Sequence, residues 1–89
     1  MASKERWIEE LQKMRQSHET LSQYVQLYPS MRPHVVEIAK EIETAQTILA
    51  RDGFTRQDNQ EMVSLTARYS LAVCHALLIL EAKPKEYLQ

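Results

Sequence analysis

Along the first third of the chain, Trp7, Leu11, Met14, His18, Leu21, Val25 and Tyr28 recur at alternating steps of four and three. That is the spacing of one helical face packed as in a coiled coil. Ser3 stands where an N-cap is wanted. The pattern predicts a helix from about Lys4 to Leu27 or Tyr28, ended by Pro29 because the residue before a proline avoids the helical region. A second stripe, Val35, Ile38, Ile42, Ala45 and Leu49, has Glu37, Lys40, Glu41, Glu43 and Arg51 on the other faces. It predicts an amphipathic helix over about 31–52, capped by Ser30. Pro33 falls in its first turn, where the missing amide proton has no intrahelical partner to lose. Asp52-Gly53 closes it, with the sole glycine as the left-handed residue and Phe54 packing back on the last turn.

Thr55 followed by Asp58 resembles a capping box with Asp in place of Glu, so a third helix is predicted from Arg56 to about Ala82, before Pro84, with a short tail over 83–89. No segment alternates with the two-residue period of a strand, and no repeat or long linker interrupts the pattern. The expected class is all-α: one domain of 89 residues folded as a three-helix bundle of antiparallel helical hairpins.

The third helix carries more apolar surface than one such bundle uses. At 100° per residue, Met62, Leu65, Tyr69, Ala72, Ala76, Ile79 and Leu80 fall on one face. Val63, Ala67, Leu71, Cys74 and Leu78 form a second stripe, rimmed by Ser64, Arg68 and His75. A helix apolar on two faces is normally covered on both. These five residues are therefore the expected interface, either with a second copy of the chain or with a heterologous protein.

Charge and composition narrow the partners. Eleven Lys and Arg oppose twelve Asp and Glu, without a basic segment that would hold phosphates, so nucleic acid and anionic membrane surfaces are not expected partners. LAVCHALLIL, residues 71–80, is half the run of about 20 apolar residues that spans a bilayer as helix. Cys74 is the only cysteine, which excludes an internal disulfide. With no apolar run behind the charged start, a cytoplasmic location is the expectation.

Candidate chemistry adds little. Cys74 and His75 are adjacent, so on a helix they point about 100° apart and make poor co-ligands. Cys74 is expected to be buried in the stripe and slow to react, and His75 to be a buried polar residue that hydrogen-bonds a neighbouring helix or water. His18 stands at a stripe position where leucine would pack better; as a buried polar residue it can fix register or oligomeric state. His34 with Glu37 and Glu41 lacks the second Glu-x-x-His pair of a di-metal bundle and reads as a solvated helix start. Trp7, Tyr24, Tyr28 and Tyr69 read as core aromatics in preference to a ligand pocket. Glu9 with Lys13, Glu37 with Lys40 and Glu41 with Arg51 read as solvated surface pairs.

The expected function is a non-enzymatic interaction module, an adapter, small chaperone or regulatory subunit, with no cofactor or metal. In size and helical build it is similar to the small chaperones of bacterial secretion systems. Two alternatives stand beside it. One is an all-α enzyme assembled at a dimer interface, similar in length to the short helical chorismate mutases, although Arg15, Arg32, Lys40 and Arg68 lie off the main stripes. The other is a metal- or cofactor-binding bundle using His18, His75 or Cys74.

Overall fold

The computed structural model describes residues 3–82, and these form three α-helices and one short 3-10 turn. Helix α1 is Lys4–Ser22, the 3-10 turn is Pro29–Met31, α2 is Arg32–Leu49 and α3 is Arg56–Ala82. The three helices pack as an all-α bundle with no strand among the described residues. The predicted tail over 83–89 lies outside the described residues.

Helix α1 starts as the sequence predicts, with the Ser3 Oγ accepting from the Arg6 amide at 3.2 Å. Its end does not. The regular helix stops at Ser22, and residues 23–27 continue as turns. Amides of Tyr24, Val25 and Leu27 donate to carbonyls three residues back, a tighter winding than the α-helix. Ser22 stands at the change of winding, its hydroxyl donating to the His18 carbonyl at 2.7 Å. The tighter turns still deliver Val25 and Tyr28 to the core alongside Trp7, Leu11, Met14 and Leu21.

Ser30 does not cap α2. It lies inside the 3-10 turn, and the N-cap position is Met31, which makes no side-chain cap bond. The buried Met31 is instead an anchor, holding the turn on the core. Helix α2 also ends earlier than predicted, at Leu49, leaving Arg51, Asp52 and Gly53 as a bend in which Gly53 takes φ +75°. The Thr55 and Asp58 box forms as read: the Thr55 amide donates to Asp58 Oδ2 and the Asp58 amide to Thr55 Oγ1, both at 3.0 Å.

Helix α2 is the middle of the bundle, packed on α1 on one side and on α3 on the other. Three pairs mark the antiparallel register of α2 and α3: Arg51, in the bend just past α2, with Asp58 at 2.9 Å, Glu41 with Arg68 at 3.2 Å, and the rings of His34 and His75 with centroids 5.1 Å apart. Each step back along α2 is matched by an equal step forward along α3. Near the other end of α1, Trp7 Nε1 donates to Asn59 Oδ1 at 2.9 Å and Lys4 Nζ to the Arg51 carbonyl at 2.7 Å. These tie the start of α1 to the α2–α3 corner. The core between the helices is Ile38, Ala45 and Ile48 of α2 with Met62, Leu65, Ala72 and Ala76 of α3 and the α1 stripe.

Candidate functional site: the outer face of the third helix

The inner side of α3 is fully used. Met62, Leu65, Ala72 and Ala76 are buried, with Tyr69, Val73, Ile79 and Leu80 half-buried against the same core. The other side is open. Val63, Leu71 and Leu78 are 53%, 59% and 57% exposed, and Ala67 and Cys74 between them are exposed as well. All five stripe residues thus share one solvent-facing side of a single rigid helix.

Its surroundings extend the apolar surface on one flank and bound it with polar groups on the other. Leu77, 46% exposed, stands on the flank toward α1. There it lines an open groove of about 390 Å³ with Val73, Leu21, Lys13, Ser17 and Thr20. On the opposite flank, Leu71 borders a hollow of about 270 Å³ with His34, Glu37, Arg68, Ala72 and His75. The other large exposed apolar side chains, Ile8, Tyr24, Leu27 and Val36, belong to α1, the turn and α2.

The structure departs from the sequence pattern at several of these residues. Cys74 is exposed in the single chain, because the stripe that carries it faces away from both other helices. His75 is exposed, and what it meets is the His34 ring. His18 is half-buried. His34 is half-buried, not solvated, because the antiparallel register brings α3 across the start of α2. Glu41, read as a surface residue near Arg51, is 5% exposed and pairs with Arg68. Arg51 is held by Asp58 and Glu61 instead. The near pair on α1 is Lys13 with Glu10, not Glu9, while Lys40 does meet Glu37, at 3.7 Å. Of the four aromatics, Trp7 and Tyr28 are core, Tyr69 is half-buried and Tyr24 is exposed.

The Thr55 amide holds the Asp58 carboxyl below its usual value, opposed by burial and assisted by the Thr55 hydroxyl and the Arg51 guanidinium. That is a helix cap, not a poised acid. Among the described residues no three or more His, Cys, Asp or Glu are grouped to hold a metal ion. Among the described residues the His34 and His75 rings come together without a third such ligand.

One finding enlarges the set of surfaces this face could meet. Taken whole, α3 is long and apolar enough to cross a membrane by length and composition. The count based on LAVCHALLIL understates it, since between Val63 and Leu80 the only Arg, Lys, Asp or Glu is Arg68. Comparison with protein-family models, with curated proteins and with solved structures gives no match to the chain.

Proposed function

We propose that the protein is a non-enzymatic helical interaction module, an adapter, small chaperone or regulatory subunit, that binds protein through the outer face of α3. One observation carries this reading: Val63, Leu71 and Leu78 each leave more than half of their surface in water on one continuous side of one helix. Fully burying such a side chain is favourable by about 1.5–3 kcal/mol. Covering the exposed half of three of them therefore yields roughly 3 kcal/mol before any contribution from Ala67, Cys74 or Leu77. A contiguous apolar strip with small residues between large ones, bordered by Ser64, Arg68 and His75, has the form of an association site.

The test replaces Leu71 and Leu78 together by Glu. Both positions face water in the single chain, so the helical core should survive, while two carboxylates in a closed interface should weaken association by several kcal/mol. Sedimentation and circular dichroism of the double variant should show a helical protein that no longer associates, with itself or with a purified partner. Val36→Glu, at an exposed α2 position, is the control and should associate as the parent does. Equal association of parent and double variant would defeat the reading.

The length and composition of α3 favour a second reading, insertion into a bilayer. Insertion would require α3 to leave α2, giving up the contacts of Met62, Leu65, Ala72 and Ala76 and separating Arg68 from Glu41. Co-flotation of the folded protein with phosphatidylcholine vesicles would favour it over protein binding.

A further inference from the structure

We propose that the occupant of the outer face is a second copy of the chain, its α3 antiparallel to the first, with Leu71 set against Cys74 of the other copy and Leu78 against Ala67. The inference rests on the reading above and names its partner. Its basis is the size pattern of the face. From Ala67 the exposed stripe runs Ala67, Leu71, Cys74, Leu78 at steps of four, three and four, the seam of a coiled coil. Small and large side chains alternate along it.

That alternation discriminates between orientations. In a parallel pair each residue meets its own copy. Leucine layers would then hold the helices apart while paired Ala67 and paired Cys74 left voids between them, and closely packed interiors do not tolerate such voids. Antiparallel, with the two-fold axis passing between Ala72 and Val73, every leucine meets a small residue. The Leu71–Cys74 and Leu78–Ala67 layers both follow from that single axis position. A surface that fits its own two-fold copy is what an isologous interface requires.

The charges along the flanks agree with this choice. A face built to select a different protein by charge would carry complementary charges along its flanks. Here the flanking positions beside the seam are Ser70 and Leu77 on one side and Arg68 and His75 on the other, and Arg68 is already held by Glu41. No unpaired carboxylate or lysine lies between Ala67 and Leu78. The seam alone is about 16 Å long and falls short of the roughly 800 Å² per partner of a standard interface. The groove between α1 and α3, lined by Lys13 and Thr20 of α1, opens directly beside Leu77 and leaves adjoining surface within reach of the second copy.

The experiment is disulfide trapping. In a Cys74→Ala background, Ala67→Cys and Leu78→Cys are made singly and together, and oxidised with diamide after circular dichroism has established that each is helical. Like positions in the antiparallel pair are about 16 Å apart along the axis, beyond the roughly 7 Å between Cα atoms that a disulfide spans. Each single variant should therefore stay unlinked. A mixture of the two singles should yield one cross-linked species, and the combined variant a dimer whose peptides join residue 67 to residue 78. Cross-linking of each single variant to itself would overturn the antiparallel pairing. A parent protein that sediments as a monomer at every concentration, or that associates only with vesicles, would overturn the second copy as occupant, and the comparison of L71E/L78E with V36E still decides the face separately. A dimer that persists in L71E/L78E would overturn both.

Discussion

The ion pair of Glu41 with Arg68 ties α2 to α3 at the rim of the face that α3 turns outward. Glu41 is 5% exposed and accepts from Arg68 Nε at 3.2 Å, while the Arg68 side chain is 54% exposed. Replacing Arg68 by Leu leaves a buried carboxylate without its cation. Breaking a fully buried pair from one side costs about 3–5 kcal/mol, but here water can enter the space that half-exposed arginine vacates. The expected loss is therefore about 1–2 kcal/mol, near that of a hydrogen bond to a charged group. Removing both charges, as Glu41→Leu with Arg68→Leu, should return the protein to within about 1 kcal/mol of the parent, because no charge is then left stranded. The assay is a double-mutant cycle read by urea unfolding of dilute protein, with circular dichroism as the signal and a shared slope for all four proteins. Additive losses, or an unaffected R68L protein, would show that the pair is surface decoration and does not hold α3 in place.

Two further predictions concern the frame that positions the face. The Asp58 carboxyl is held below its unfolded value by the Thr55 amide. Its contribution is thus present above the unfolded carboxylate pKa of about 4 and lost as pH falls through the lower folded value. Asp58→Asn should be less stable than the parent at pH 7, with the difference shrinking below about pH 4; a gap independent of pH in urea titrations would refute the assignment. His18→Leu should keep the fold and change stability by no more than about 1 kcal/mol, since the half-buried imidazole occupies a stripe position suited to leucine. A thermal melt showing a loss above about 2 kcal/mol would mean that His18 makes an essential polar contact.

Much of this molecule is written in its periodicity. The three apolar stripes, the Thr55 and Asp58 cap and the left-handed Gly53 are local signals, and the structure carries each of them. The exposed α3 stripe follows from the same arithmetic, because side chains on the side of a helix away from its partners point to water. What escaped local reading depends on two helices at once. The pairs Glu41 with Arg68 and His34 with His75 require the antiparallel register of α2 and α3, set by the corner at Gly53. Placing Arg51 against Asp58 first, then counting equal steps outward, would have found both. The early end of α1 is a different failure: an apolar stripe continues through tighter turns as readily as through α-helix, so the pattern reached Tyr28 although the regular helix stops at Ser22.

Cys74 offers the most direct measurement of whether the outer face of α3 is covered when the protein associates. The thiol lies in the middle of the stripe and is exposed in the single chain. Its rate of reaction with a soluble thiol reagent is followed across protein concentrations, beside the sedimentation profile of the same samples. Dilute, unassociated protein should react at a rate near that of the denatured chain. As association sets in, the rate should fall by on the order of tenfold or more, since the reagent must wait for the interface to open. A thiol that reacts equally fast in the dilute and the associated protein would contradict the central claim, because the chains would then be meeting through some other surface.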